Sequence, residues 1–414
     1  MTEPTAIPPT LRRGIESRLR HLVGEHPVVV LEGARAVGKT TLAQALLADR
    51  TLGGRYIPLD TELALAAEDP DDWLRTIPPG SVIDEAQLVP QLLLAIKRSV
   101  DRDPRPGRFL LTGSSRLRRD TLGGSDALAG RAARVTLMPL TISETEGEPR
   151  SIIHDLRHGD PLTWQPQATD RDKLVEWIIQ GGMPGGLGLS RQGRVERFGT
   201  YPDRALGPEA VGSRRHSVTG RLLSYVLKRS PVPENTTQLA RELGISRDTV
   251  LGHLDLLEEV MMMWRQPGYS PTPGTGAVKR ARLIAFDTGI GCVVDRLGLN
   301  VDNEGSAAET LVANELRAQT SWTSEDVGTE LMHWRFKNRA EVDIVLAHPD
   351  GDLVAIEVKT STQARPEHTK WLSMFRERYQ RDHRRVRTYV FYLGSRVVSY
   401  DRHWFVPLSI IAGV

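Results

Sequence analysis

Cysteine is almost missing from this 414-residue chain, which holds one, Cys292. A lone thiol excludes an internal disulfide framework and any zinc site built on several cysteines. It suits a reducing interior such as the cytoplasm. Long apolar runs are missing too. No stretch reaches the roughly 18 apolar residues that a membrane helix needs, and MTEPTAIPPTLRRGIESRLRH lacks the apolar core of a secretory signal. Neither sign of charge is in excess, since 54 Lys+Arg face 52 Asp+Glu for a formal net charge of +2. That balance excludes a wholly basic nucleic-acid coat and an acidic tail protein, while leaving room for one locally basic face. Internal repeats and low-complexity tracts are absent. At 39% hydrophobic residues the chain is lean, yet its length allows two or three domains, each with a core. The expectation is a soluble, cytoplasmic protein with no membrane span.

What is present begins with a pattern. LRRGIESRLRHLVG (11–24) places Ile15, Leu19 and Leu22 on one helical stripe. VVVLEG (28–33) is a β-branched run ending in glycine, as a buried strand would be, and TLAQALLADR (41–50) has helical composition. Short apolar runs recur at 55–60, 81–84, 108–113 and 134–140, with a helical segment at 91–100. Strands alternating with helices predict an α/β fold with a doubly wound parallel sheet. Residues 145–170 show no clear period and read as a linker or insertion. GGMPGGLGLS (181–190) is a turn-rich break, 214–265 is helical in pattern, and 283–414 returns to mixed strands and helices. The expected division is 1–145, a connecting 146–169, then 170–282 and 283–414.

GARAVGKT (33–40) fits G-x-x-x-x-G-K-[ST] between a predicted strand and a predicted helix. Gly33 and Gly38 let the backbone curl so that the N–H groups of Ala34, Arg35, Ala36, Val37 and their neighbours turn toward phosphate oxygens. The helix start, with Thr41 in its first turn, adds its positive dipole end. Lys39 is placed for the β- and γ-phosphates and the Thr40 hydroxyl for Mg²⁺, so ATP with Mg²⁺ is the expected ligand. SVIDEAQ supplies two acids after another strand: Asp84 to hold Mg²⁺ through water and Glu85 to polarise an attacking water. The alternative is an acid-rich helix start. FLLTGSS (109–115) offers Thr112 or Ser114 as a γ-phosphate contact, or only a hydroxyl-rich turn. Arg131 in LAGRAARV is a candidate for that phosphate, in cis or from a neighbouring copy, or else a surface arginine. Asp60 reads as structural.

TTQLARELGISRDTVLGHLDLLEE (236–259) has the layout of two helices about a glycine turn, with Ser246 as N-cap of the second. VMMMWRQPGY then suits the strand of a winged helix, whose second helix would present Arg247, Asp248, Thr249 and His253 to DNA. Service as an ATPase lid or protein interface is the other reading. EVDIVLAHPDGDLVAIEVK (341–359) predicts a hairpin in which Glu357 and Lys359 share one strand face and Asp343 lies on the partner strand. Glu309, in the helical GSAAETLVANELRAQ, is available to the same place. Acids with an E-x-K suit Mg²⁺-dependent phosphodiester cleavage, and a solvated salt-bridged hairpin is the plain alternative. Arg376, Arg378, Arg381, Arg384, Arg385 and Arg387 crowd a short stretch that suits a phosphate backbone or a solvated helix end.

The Asp343-x(13)-Glu357-x-Lys359 spacing resembles the PD-(D/E)XK nuclease core. The whole order, GARAVGKTTL, IDEAQ, LLTGSS, LAGR, AFDTGI, AAETLVANEL, EVDIVL and AIEVK, resembles a bacterial and archaeal group of AAA-type ATPases of uncharacterised role. In that group a P-loop domain precedes a winged helix and a C-terminal domain similar to restriction-endonuclease cores. The resemblance implies ATP binding, with DNA, a protein partner or a second copy as candidate partners. It leaves open an ATP-regulated nuclease or a binding switch that does not cut.

Overall fold

The computed structural model describes residues 11–113, 127–206, 213–270, 280–295, 303–337, 339–381 and 384–413. Helix α1 (Glu16–Glu25) packs through Ile15, Leu19 and Val23, one side of a 3.6-residue period. Strand β1 (Val28–Gly33) is buried along its length, because it lies between β4 (Phe109–Gly113) and β5 (Ala132–Leu137), parallel to both. β3 (Ser81–Asp84) pairs with β4, and β2 (Tyr56–Pro58) pairs with β3, giving the all-parallel order β2-β3-β4-β1-β5. Alternate side chains of β1 feed two cores. Val29 and Leu31 pack with Leu42 and Leu46 of α2 (Lys39–Ala48), while Val28 and Val30 pack with Leu92 and Ile96 of the helix Leu92–Arg102. This is the predicted α/β sheet covered on both faces. Its register sets Gly33, Asp84 and Thr112 at the same edge, at the carboxyl ends of adjacent strands. In open parallel sheets that edge is where ligands bind.

A second, smaller sheet follows. β6 (Val232–Pro233), β7 (Met263–Gln266) and β8 (Arg282–Ala285) are antiparallel in the order β6-β8-β7. Three helices, Ser213–Arg229, Thr236–Leu243 and Arg247–Glu259, belong to the same stretch of chain. The middle helix ends at Gly244 with φ 68°, a left-handed cap that favours glycine. The Ser246 hydroxyl then accepts from the Thr249 N–H at 3.1 Å, so the predicted cap is in place. Val250, Leu254 and Leu257 are buried as their spacing required. The division expected between 282 and 283 fails, because it cuts through β8, which is hydrogen-bonded to both β6 and β7.

The C-terminal sheet has six strands in the order β13-β14-β12-β11-β10-β9. These are β9 (Glu330–Phe336), β10 (Ala340–Ala347), β11 (Leu353–Val358), β12 (Val386–Tyr392), β13 (Val398–Tyr400) and β14 (His403–Pro407). β10 and β11 form the predicted antiparallel hairpin, with Ile344 opposite Ile356. The register of β10 against β9 shifts between Val342 and Val345, a bulge at Asp343. Helix Glu304–Gln319 covers one face through Ala308, Leu311, Val312 and Leu316, and helix Lys370–Tyr379 covers the other through Leu372 and Phe375.

Residues 145–170, expected to be a linker or an insertion, are packed against the C-terminal core and so do not form a loose linker. Helix Ile153–His158 packs Ile152, Ile153 and Leu156 into the core that holds Ile344, Ile356 and Tyr389. Trp164 stacks on Tyr389 with ring centroids 6.0 Å apart, and the Tyr389 hydroxyl donates to the Leu156 carbonyl at 2.8 Å. The aperiodic pattern arose because these residues meet partners some two hundred positions away. Among the described residues no helix is long and apolar enough to cross a membrane.

Candidate nucleotide site and C-terminal carboxylate site

The loop after β1 needs left-handed backbone at Ala36 (φ 62°) and Gly38 (φ 104°). A Cβ on Gly33 would meet the Leu137 carbonyl oxygen at 2.8 Å, so glycine is required where β1 passes β5. Lys39 opens α2 and is buried. Its ammonium donates to the Gly33 and Ala34 carbonyls at 2.9 and 3.0 Å, which spans the loop and holds it curled. Burial lowers the Lys39 pKa to about 8, against the opposing pull of Glu85 and Asp84.

Asp84 is the hub of the site. The Thr40 hydroxyl donates to its Oδ2 at 2.9 Å, the Tyr56 hydroxyl donates to the same oxygen, and the Thr112 hydroxyl donates to Oδ1. Three strands and the first turn of α2 thereby converge on one carboxylate. One carboxylate and one hydroxyl in contact, beside a phosphate loop, form a donor set that fits Mg²⁺ carried in with a nucleotide, which takes few protein ligands. Glu85 follows with φ 58°, left-handed backbone that costs a non-glycine residue about 1–2 kcal/mol. Its N–H turns back to Asp84 Oδ1 at 3.2 Å, and its carboxylate accepts from the Gln87 amide. Glu85 thus stands between the end of β3 and the single 3-10 turn Ala86–Leu88, which it precedes as N-cap, so both the water-polarising role and the acid-rich helix start remain open to it.

Arg131 is placed elsewhere. It precedes β5, whose Ala132 pairs with Val28 at the opening end of β1, and its guanidinium pairs with Asp101. That is the sheet edge opposite the phosphate loop, so Arg131 does not serve the γ-phosphate site of its own chain. Ser114 lies outside the described residues. Arg35 and Thr41 are exposed on the loop and the first turn of α2.

Three residues around the loop escaped sequence reasoning. Tyr56 joins Asp84 from β2, although the same RYIPLD run drew notice only for Asp60. Arg13 is buried beneath the loop, donating to the Val37 carbonyl at 3.2 Å and the Met138 carbonyl at 2.7 Å while pairing with Glu144 at 3.0 Å. Tyr201 donates to the Arg35 carbonyl at 2.7 Å. No local pattern marks any of them, since each acts through a partner distant in sequence.

In the two-helix segment, Arg247, Asp248 and Thr249 are exposed at the start of their helix. His253 is not, being 5% exposed with its Nδ1 2.7 Å from the Thr219 hydroxyl; it packs inward and is withdrawn as a DNA-reading residue. The arginine-rich stretch is partly engaged as well. Arg376 donates to the Arg402 and Asp401 carbonyls, Arg387 donates to the Gly159 carbonyl, and Arg378 stacks over Phe336. Arg381 and Arg384 are paired to each other through the backbone, and the Arg385 N–H donates to Asp352.

The C-terminal carboxylates do meet. Lys359 pairs with Glu357 at 2.5 Å, and Asp343 Oδ2 accepts from the Val358 N–H at 2.9 Å, which ties β10 to β11. Glu309 reaches in from its helix and pairs at 2.5 Å with a cation that sequence reasoning did not name, Arg282 of β8. Arg282 also pairs with Glu341 at 3.1 Å. Burial, reinforced by the Asp343 charge, raises the pKa values of both Glu309 and Glu357. Glu357 Oε2 is buried with no hydrogen-bond partner. A divalent metal is the group that a nuclease-like core implies here. Yet among the described residues no three His, Cys, Asp or Glu side chains are placed to hold a metal ion. As arranged, the residues do not fit one.

Comparison with known proteins bears on the N-terminal region as a stretch of chain. Residues 25–146 match the family model of an AAA domain, while 171–303 and 304–411 match two domains of unknown function, DUF8612 and DUF4143. Uncharacterized proteins of Mycobacterium tuberculosis and Mycobacterium bovis are each 27% identical over 352 residues, covering 80% of this chain and 70% of theirs. Among solved structures, a Walker-type ATPase of Pyrococcus abyssi aligns at 15% identity and TM-score 0.39, over 68% of this chain and 94% of that one. The RuvB Holliday junction branch migration motor of Thermotoga maritima aligns at 17% identity and TM-score 0.28, over 62% and 90%. The AAA match thus takes in the whole parallel sheet and the phosphate loop of the N-terminal region.

Proposed function

We propose that this protein binds and hydrolyses ATP and uses nucleotide state to control contact with DNA or a protein partner. The observation that carries the reading is the convergence of Thr40, Tyr56 and Thr112 on Asp84 beside the Lys39 loop. In the reaction Glu85 takes a proton from a water as that water attacks the γ-phosphorus, and the bond to the β–γ bridging oxygen breaks. Lys39 leaves its carbonyl partners for the β- and γ-phosphate oxygens and balances the charge that develops there. Thr40 and Asp84 hold the Mg²⁺ that arrives with ATP, which supplies further neutralisation of the phosphates. Phosphate release measured with Mg·ATP tests this. Glu85→Gln is expected to keep ATP binding and lose about 10²–10⁴-fold in turnover. Unchanged turnover in that variant would refute the assignment.

The element order around β6, β8 and β7 supports a winged-helix reading of the middle segment, with Arg247, Asp248 and Thr249 as its exposed face. Arg247→Ala is expected to weaken binding of a DNA duplex and to flatten its salt dependence; salt-independent binding would point to a protein partner. Arg131, at the far edge of its own sheet and paired with Asp101, would have to exchange that partner to act on a neighbouring copy, and that role requires a homo-oligomer.

For the C-terminal unit, the switch without cleavage is favoured over the nuclease, because its acids are already paired with Arg282 and Lys359. Incubating supercoiled DNA with Mg²⁺ or Mn²⁺, with and without ATP, decides between them. Intact DNA throughout is expected; nicking that Glu357→Ala abolishes would restore the nuclease.

A further inference from the structure

We propose that Arg282 is the resident cation of the C-terminal carboxylate site, its guanidinium standing where a nuclease-like core would place a divalent metal and locking the middle sheet onto the C-terminal one. This rests on the nuclease-like reading of the C-terminal unit and is independent of the nucleotide site.

Arg282 belongs to β8 of the three-stranded sheet, whereas every acid it meets belongs to the six-stranded sheet or its covering helix. Its two terminal nitrogens reach in different directions. Nη1 lies 2.5 Å from Glu309 Oε1 and 3.3 Å from the Asp343 carbonyl, and Nη2 lies 3.1 Å from Glu341 Oε1. Gln266 of β7 joins it, donating to the Asp343 carbonyl at 3.1 Å and the Met332 carbonyl at 3.0 Å. The β7–β8 pair therefore docks against β10 at its bulge. Only 8% of Arg282 is exposed. A buried guanidinium is stable only where acids surround it, and its planar fork suits two carboxylates at once, which an ammonium cannot match.

Glu309, Glu341, Asp343 and Glu357 face two cations, Arg282 and Lys359, and burial, which raises the pKa values of Glu309 and Glu357, lessens the negative excess. Mg²⁺ needs six oxygens at about 2.0–2.1 Å in near-octahedral order, and Arg282 already takes Glu309 Oε1 and the Asp343 backbone carbonyl, two oxygens that such an ion could use. Once Arg282 is removed, Glu309 and the unpartnered Glu357 Oε2 are left as carboxylate oxygens whose one remaining close cation is Lys359, already paired to Glu357 Oε1.

The test is Mn²⁺ binding by the full chain, nucleotide-free, followed by the paramagnetic resonance of unbound Mn²⁺. Wild type is expected to show no Mn²⁺ site that Asp343→Asn removes. Arg282→Ala is expected to gain one, at least tenfold tighter than any wild-type binding and abolished when Asp343→Asn is added. An Asp343-dependent site already present in wild type, or none gained in folded Arg282→Ala, would overturn the proposal. Should Arg282→Ala fail to fold, Arg282→Gln keeps a hydrogen-bonding side chain and removes the charge. Weaker but measurable Mn²⁺ binding is then expected, and its absence in folded Arg282→Gln counts equally against the proposal. DNA nicking by Arg282→Ala with Mn²⁺ separates the two ideas: a gained Mn²⁺ site without nicking keeps the resident cation and discards the nuclease-like chemistry.

Discussion

Lys39 is unusual among surface-loop lysines in carrying its charge into a buried position. Its pKa near 8 in the free protein has a consequence for ligand binding. Phosphates stabilise the ammonium and raise its pKa, so ATP binding is coupled to its protonation. Affinity should be level below pH 7.5 and fall toward tenfold per pH unit above about 8. Titration calorimetry from pH 7 to 9.5 measures this, and a slope unchanged in Lys39→Ala would assign the effect to another group. Lys39→Ala itself should weaken ATP at least a hundredfold at pH 7. Arg13 works by a different route. It and Glu144 are both buried, so Arg13→Ala strands a carboxylate beneath the phosphate loop. The loss should be about 3–5 kcal/mol of folding stability, read by urea denaturation, with ATP affinity lowered alongside because the Val37 carbonyl loses its donor.

At the scale of elements, the strands were legible because their apolar runs are continuous, as they must be when both faces are covered. β1 and β4 each show this, and the glycine loop between β1 and α2 has a local chemistry that no partner needs to supply. The capped helix Arg247–Glu259 was equally plain, from Ser246 at its start to Leu257 on its face. The helix Ile153–His158 was not. Six residues carry too little periodicity to register, and its Leu156 finds its partners on β11 and β12. Leu156→Ala is expected to cost about 2–5 kcal/mol and to lower the melting temperature of the C-terminal unit. A neutral result would return 145–170 to the status of a loose connection.

For the molecule as a whole, the connections between units are polar and buried. Glu315 accepts from the Ile142 N–H, Gln319 bonds the Ile152 N–H and the Ile411 carbonyl, and Arg13 spans from the first helix to Glu144. Burial leaves Glu315 protonated more readily than an ordinary glutamate. These contacts make the C-terminal helix Glu304–Gln319 a support for the junction after β5. A chain cut at 145 would expose Ile142 and lose the Glu315 acceptor, so residues 1–145 alone should aggregate, and limited proteolysis should not release a stable fragment ending there. Recovery of a soluble, cooperatively melting 1–145 would contradict this.

By itself the sequence determined the glycine-rich loop between β1 and α2, the acids Asp84 and Glu85 at the end of β3, the alternation of strands and helices in the first unit, and the shared strand face of Glu357 and Lys359. All of these depend on neighbours within a few residues or on a period that local steric rules enforce. Tertiary structure alone decided that Tyr56 and Thr112 share Asp84, that Arg131 sits at the far edge of the sheet, and that His253 is buried. It alone brought Arg282 among the C-terminal acids. A guanidinium at the end of a long side chain finds its carboxylates by how two sheets pack, and that packing is set by apolar cores whose members are scattered along the chain.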